Sequence, residues 1–491
     1  VKRKVLIIGG GIGGLASAAL LAKEGYDVTL TEKNAQIGGR ARIWTEGGFR
    51  FDMGPSWYLM PEVFEQFFKL FGRSRDEFYE LIKLDPAYTV FFNPGESVQV
   101  RPDLNDAKAL FETFEPGGGE RLESYLAAAE YKYHIAVGEF LYKNYGSIFD
   151  FLNGKMLVQG PRLKIFRSLD KLVGKYFKDR RAKQILEYGM IFLGTSPEDA
   201  PSLYSIMSHM DLNQGVFFPP NGLAEVPISI AKLAEEQGAR IVTDNPAEKI
   251  LVDGNGRVKG ALTPHGTMEA DFVVVNADYS FAETQLLEPS HQSYPLSYWN
   301  KRVWAPSMFI LYLGLNKQLK SLTHHNLYFA PQWNRHFDKI FKEPAWPEQP
   351  CFYLSCISKS DPRSAPKAGE NVFVLVPVAP GLDDNDDVRN RYADSVIRHI
   401  EHITGERIED SIQVKRIFSQ RDFIQDYNAF QGTALGISHT LRQTAVFRPS
   451  IRSKRVKNLY YTGQYTHPGV GVPMVLISSQ VMAGLVKEDT E

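Results

Sequence analysis

The residues best suited to chemistry in this 491-residue chain stand at its start. Gly9, Gly11 and Gly14 have the spacing G-x-G-x-x-G, with Ile12 and Gly13 between them, and the acid Glu32 follows eighteen residues after Gly14. Each glycine has a separate task. Gly9 permits a tight turn, Gly11 lets the backbone approach a pyrophosphate, and Gly14 lets a helix pack closely on a strand. A helix that begins there offers free N–H groups and partial positive charge to a phosphate. Glu32 can accept hydrogen bonds from ribose hydroxyls. The pattern points to a dinucleotide without choosing between FAD and a nicotinamide nucleotide.

The elements that must position these residues are legible around them. Lys4–Ile8 is short, apolar and β-branched, as a buried parallel strand should be. Leu15–Glu24 is rich in Ala and Leu and lacks Pro, which predicts a helix. Asp27–Glu32 predicts a second strand that ends on the acid. This context favours dinucleotide binding over an ordinary Gly-rich turn.

Two further stretches carry glycines beside polar residues. Gly38-Gly39-Arg40-Ala41-Arg42 is followed by Phe49-Arg50-Phe51-Asp52-Met53-Gly54-Pro55. Glycines allow close backbone approach, and an adjacent Arg can pair with a phosphate. A Gly-rich hairpin with surface arginines is the plainer alternative. Near the other end, Thr462-Gly463-Gln464-Tyr465-Thr466-His467-Pro468-Gly469-Val470-Gly471-Val472-Pro473 predicts a turn leading into a final helix, whose N-terminus can stabilise developing negative charge.

Together these stretches resemble the FAD-dependent amine oxidase and phytoene desaturase superfamily. Thr466–Pro473, Pro306–Asn316, Ser360-Asp361-Pro362 and Phe447-Arg448-Pro449 narrow the resemblance to its bacterial-type carotenoid desaturases, in register over nearly the whole chain. Gln464-Tyr465 and Met474–Ser479 depart from the pattern, which leaves the exact substrate open. The resemblance implies FAD as cofactor. It also implies that Gly9, Gly11, Ile12, Gly13, Gly14, Glu32, Lys33, Gly38, Gly39, Arg40, Pro55, Ser56, Ala247, Gly463, Gln464, Gly471, Val472 and Pro473 bind it. The expected fold is mixed α/β: a Rossmann-like FAD domain from residues 1–85, 222–287 and 440–491; a discontinuous β-sheet substrate domain from 86–116 and 288–439; and a helical subdomain, 117–221, with possible membrane contact.

Composition bounds the rest. Lys and Arg number 56 against 57 Asp and Glu, so no nucleic-acid partner is expected. Cys351 and Cys356, five residues apart in an apparent strand, point to opposite faces, and neither a disulfide nor a metal site is expected. The fingerprint begins almost at the first residue, so no signal peptide is expected, and no apolar run reaches the roughly 18 residues of a spanning helix. Residues 160–183 carry nine Lys or Arg interleaved with Leu, Phe and Tyr. They predict a basic amphipathic helix, either an ordinary surface helix or one lying on an anionic membrane.

By this reading the protein is a cytoplasmic desaturase, peripherally attached to the inner face of the cell membrane. It takes a carotenoid and passes electrons to O2 or a quinone. Removing a hydride and a proton from neighbouring carbons is chemistry the flavin supplies, and the protein's share is mostly positioning. No catalytic acid or base is assigned. His467 and Glu198/Asp199 qualify by residue type alone, and a structural His and an acidic turn are the plainer readings. Competing readings are a carotenoid isomerase or polyene saturase, an amine or porphyrinogen oxidase, and a non-enzymatic prenyl-binding protein like the Rab GDP-dissociation inhibitors.

Overall fold

The computed structural model describes residues 2–144 and 167–490. Strand β1 (Lys4–Ile8), helix α1 (Ile12–Lys23) and strand β2 (Asp27–Thr31) form the expected opening unit. β1 is central in a five-stranded parallel sheet, with β2 and then Arg240–Val242 on one side, and Phe272–Val275 and then Leu459–Tyr461 on the other. The register aligns Ile8 with Thr31 and with Val275, and Val275 with Tyr461. Chain segments more than 200 residues apart thus end side by side, with Gly9, Glu32, Asn276 and Thr462 at one edge. α1 lies on one face of the sheet and packs on the helix Glu225–Glu236 and on the C-terminal helix Val472–Glu488.

A second, seven-stranded mixed sheet has the order Ile412–Phe418, Ser307–Leu315, Glu370–Val378, Phe352–Ser355, His325–Tyr328, Tyr88–Asn93, Glu96–Val100. Every residue of Ser307–Leu315 is buried, because both faces of that strand are covered. Alternation along it divides two environments. Phe309, Leu311 and Leu313 pack with Val396, Ile397 and Ile400 of the helix Asp386–Thr404. Met308 and Ile310 face the other way and line a large cavity. The two cysteines flank the strand Phe352–Ser355 and are both free.

Helices close the cavity opposite this sheet. Gly118–Ile135 continues as a π turn to Phe140, close to the span expected. The basic stretch differs from its expectation. Its residues 160–166 lie outside the described residues, and the remainder is two short helices, Leu169–Val173 and Arg180–Glu187, not one continuous amphipathic helix. The break has a local cause: Gly174 ends the first helix, and Asp179 caps the second by accepting from the Arg181 amide at 2.7 Å. Among the described residues no helix is long and apolar enough to cross a membrane, and none forms a cluster of three metal-ligating side chains.

Candidate functional site

The cavity of about 1780 Å³ begins at the C-terminal edge of the parallel sheet and runs between the second sheet and the helices. Drug-sized sites occupy about 300–1,000 Å³, so this volume has room for a dinucleotide and a second large molecule.

At the sheet edge the glycines do what their spacing requires. A Cβ on Gly14 would strike the Gly9 carbonyl oxygen, and one on Gly13 would come within 2.6 Å of Asn276 Oδ1. Gly9 itself has φ +104°, which disfavours any side chain. α1 therefore starts hard against the turn, with Gly11 as N-cap and no side chain capping its first N–H groups. Those donors open on the cavity.

Glu32 is 5% exposed and lines the cavity. Its Oε2 accepts from the Gly10 amide at 2.6 Å, and its Oε1 accepts from the Asn34 amide and side chain at 2.9 Å each. These bonds fix the carboxylate at the strand end while each oxygen keeps acceptor capacity. The neighbouring Lys33 also lines the cavity. Its ammonium donates to Gln425 O at 2.5 Å and Asn428 Oδ1 at 3.3 Å, tying the sheet edge to the helix Gln420–Tyr427. Burial lowers its pKa against the pull of Asp426 and Glu32. Ala247 also lines the cavity, two residues after Asn245, whose amide donates to Glu32 O at 2.9 Å.

Gly38 and Gly39 (φ +102° and +57°) lay their backbone on the fingerprint: the Gly38 amide donates to Gly10 O at 2.7 Å, and a Gly39 Cβ would stand 3.2 Å from Gly11 Cα. Arg40 follows with its guanidinium 4.9 Å from the Tyr427 ring centroid. Its Nε and Nη2 are buried without a hydrogen-bond partner while the residue lines the cavity. A half-buried cation with two buried, orphaned donors, beside a glycine cradle and an uncapped helix end, fits a phosphate-bearing ligand. Arg42, by contrast, spends its Nη2 on Asp426 at 2.5 Å and on Tyr427, and leaves one donor, Nε, unpartnered. Pro55 and Ser56 line the opposite lip.

The C-terminal stretch supplies the other end. Gly471 (φ +123°) is N-cap of the helix Val472–Glu488, again without a side-chain cap, and Val472 and Pro473 line the cavity. Gly463 (φ +105°) donates its amide to Ser478 Oγ at 3.2 Å, and a Cβ on it would stand 2.9 Å from Asn276 Oδ1. Gln464 lines the cavity, with its Nε2 unpartnered. Two helix N-termini from opposite ends of the chain thus open on one space.

Several residues here carried no role in the sequence reading. Arg448, of the Phe447-Arg448-Pro449 motif, is buried and donates to four carbonyls: Gln443 and Thr466 at 3.2 Å, Tyr465 at 3.1 Å and Gln464 at 2.5 Å. Burial lowers its pKa to about 10. Asn276 stands behind Gly9, Gly11, Gly13, Gly14 and Gly463, and its position at a strand end is the one sequence signal for it. His439 accepts from the Val470 amide at 3.2 Å and meets the Tyr204 hydroxyl at 2.7 Å, and burial keeps it neutral.

The residues considered as an acid or base lie as follows. His467 reaches the Phe140 and Leu141 carbonyls at 3.2 Å, fastening the C-terminal stretch to the helical wall, and burial lowers its pKa to about 4. Asp199 closes a turn with Ser196 at 2.9 Å, and Glu198 pairs with Lys342 at 3.4 Å; both are exposed and away from the cavity lining.

The family described as flavin containing amine oxidoreductase matches residues 12–486. A carotenoid 3,4-desaturase of Haloarcula japonica is 44% identical over 489 residues, 99% of this chain and 98% of that protein. A zeta-carotene-forming phytoene desaturase of Myxococcus xanthus is 34% identical, covering 98% and 93%. Among solved structures, an oxidoreductase from Methanosarcina mazei aligns with a TM-score of 0.65 at 17% identity over 98% of this chain and all of that one, a likeness of fold.

Proposed function

The chain belongs to the flavin-containing amine oxidoreductase family, and from that premise we infer that it is an FAD-dependent carotenoid desaturase, which introduces double bonds into a long apolar polyene. One observation carries the reading. The cavity that starts at the Gly9–Glu32 edge continues without interruption past Met308, Ile310, Leu186 and Phe192. It therefore joins a dinucleotide cradle to an apolar compartment. A long hydrocarbon offers no handles, so shape and apolar burial must hold it.

We assign the fingerprint glycines and the start of α1 to the pyrophosphate, Glu32 to the ribose, Arg40 to a phosphate oxygen, and the backbone near Ala247 to the adenine. Gly463–Pro473 would receive the flavin ring, with the N-terminus of the last helix favouring the negative charge of its reduced form. FAD, when bound, supplies hydride acceptance. The protein's residues orient the polyene and exclude water. For the reoxidant we propose O2 or a quinone.

Arg167 and the exposed Lys175 line the cavity at its helical end. We propose that this end faces an anionic membrane surface from which the carotenoid enters, the protein attaching peripherally on the cytoplasmic side. Charge reversal at Arg167, Lys171 and Lys175 should weaken binding to vesicles containing an anionic lipid. Unchanged binding refutes the docking surface.

The function is tested by incubating the FAD-loaded protein anaerobically with a panel of carotenoids in liposomes. Bleaching of the flavin with a red-shifted product lighter by two hydrogens is expected. A cis–trans change without flavin bleaching, or no FAD uptake at all, refutes it.

A further inference from the structure

The apolar end of the cavity holds one carboxyl group that cofactor binding does not explain. Asp211 lies in the π turn Met210–Gln214, is 5% exposed and lines the cavity. Its Oδ2 accepts from the Tyr88 hydroxyl at 2.6 Å and the Tyr188 hydroxyl at 2.9 Å. Its Oδ1 is buried with no hydrogen-bond partner. A carboxylate oxygen without a donor in an apolar wall is costly to keep. The two tyrosines pack on Trp57, with ring centroids 5.2 and 5.9 Å away, and Trp57 directly follows Ser56. Asp211 is therefore one layer of rings from the lip assigned to the cofactor.

The other carboxyls lining the cavity are committed. Glu32 is held by Gly10 and Asn34, Asp278 by Tyr465 and Ser280, and Asp426 by Arg42. Both ring nitrogens of His439 are bonded. Around Asp211 the titratable groups are Tyr88 and Tyr188, then Tyr353 and the His325 bonded to it at 2.7 Å, which burial keeps neutral. The helix packed on this segment brings Lys132, which donates to Ser202 O and Ser205 Oγ. On its own element, His209 meets Asn213 at 2.9 Å.

Resting on the desaturase reading, we propose that Asp211 is the proton acceptor of the reaction. Of the two hydrogens removed, one leaves its carbon as hydride, with its electron pair, to the flavin. The other leaves the neighbouring carbon as a proton to Asp211 Oδ1, and its C–H pair becomes the new π bond. The carboxylate becomes a neutral acid, and the Tyr88 and Tyr188 hydroxyls hold its second oxygen throughout. Burial raises this carboxyl to about 7 and the two tyrosines oppose the rise, which suits a base working near neutrality.

The test compares Asp211→Asn, Asp211→Glu and Tyr188→Phe with wild type, all FAD-loaded, on a carotenoid that wild type converts. In Asp211→Asn, anaerobic flavin bleaching should slow on the order of 10²- to 10⁴-fold, with flavin content and carotenoid binding unchanged and partial recovery in Asp211→Glu. The wild-type rate should rise through an inflection near pH 7, and Tyr188→Phe, which removes a donor to the carboxylate, should move that inflection upward. In the apo protein, infrared titration should show a carboxyl band near neutrality that Asp211→Asn lacks. Bleaching within threefold of wild type in Asp211→Asn overturns the proposal, as does an unmoved inflection in Tyr188→Phe. Weaker binding of hydroxylated carotenoids alone, at unchanged rate, also overturns it and makes Asp211 a hydroxyl ligand. If Asp211→Asn does not fold, Tyr88→Phe and Tyr188→Phe decide by the inflection. A wild type that converts no carotenoid refutes the desaturase reading instead.

Discussion

Replacing Arg40 by Met should weaken FAD binding without weakening the apo fold. The guanidinium has two buried donors, Nε and Nη2, that no protein group receives. Such orphans cost the protein about 1–3 kcal/mol each. The contact with Tyr427, 4.9 Å away, returns about 0.5–2 kcal/mol as a cation–π interaction. Met keeps an apolar stem on that ring and carries no donor, so the apo protein should melt no lower than wild type. In the holo protein a hydrogen bond from a charged donor is worth about 1.5–3 kcal/mol. Its loss raises the Kd for FAD roughly 10- to 150-fold. Calorimetric titration of apo protein with FAD, beside melting curves with and without FAD, reads both quantities. A variant that melts lower when apo and binds FAD within threefold of wild type would refute the reasoning, since Arg40 would then be a structural cation.

Gly14→Ala places a methyl group on the Gly9 carbonyl, which cannot yield because Gly9 lies between Thr31 and Asn276. Overpacking of about 1–3 kcal/mol should appear as a rise in FAD Kd of about 5- to 150-fold, checked by the same titration. Arg448→Met strips the donor from four carbonyls and should lower the melting temperature and speed FAD loss, at a cost above about 2 kcal/mol; equal FAD retention by gel filtration would show that the loop holds itself. Glu187, 3% exposed with Oε1 unpartnered, is raised to about 8 by burial, with Lys183 opposing. Folded protein thus keeps a proton that unfolded chain releases above about pH 4.5, so stability falls as pH rises through that window to about 8. Glu187→Gln should flatten this slope in denaturant melts run from about pH 5 to about pH 9; an identical slope in both proteins would contradict it.

What could be read in advance was what is local. β1, α1 and β2 are decided within thirty residues by strand run, glycine spacing and acid, and the structure places them so. Arg40 was recognisable because its glycines precede it directly. Its platform, Tyr427, lies nearly 400 residues away and nothing in the sequence joins the two. Asp211 is the sharper case. It sits among Met, Leu and His in a short turn, and its role depends on Tyr88 from a strand more than 100 residues earlier. No pattern of types within its own segment reveals that. The basic stretch shows the opposite: its charge and apolar interleaving predict one helix, while Gly174 and Asp179, an end signal and a start signal, divide it in two.

The departure at Gln464-Tyr465 bears on substrate differently once its surroundings are known. Tyr465 is buried among Tyr279, Trp299 and Trp304, and its hydroxyl bonds Asp278, just past the strand Phe272–Val275. Arg448 grips the carbonyls of Gln464, Tyr465 and Thr466 in succession, and Ser478 takes the Gly463 amide and Thr466 hydroxyl from the other side. The large ring therefore works as a wedge that seats the loop on the sheet, where a small residue would leave a void. A loop seated this way ties the start of the last helix to the sheet edge that carries the first glycines, so the two helix N-termini on the cavity share one support. Substrate choice must then be decided by the walls that the cofactor does not brace: the methionines at 207, 210 and 308, whose flexible side chains adapt to irregular shapes, and the rings of Tyr188, Phe192 and Tyr353 around Asp211.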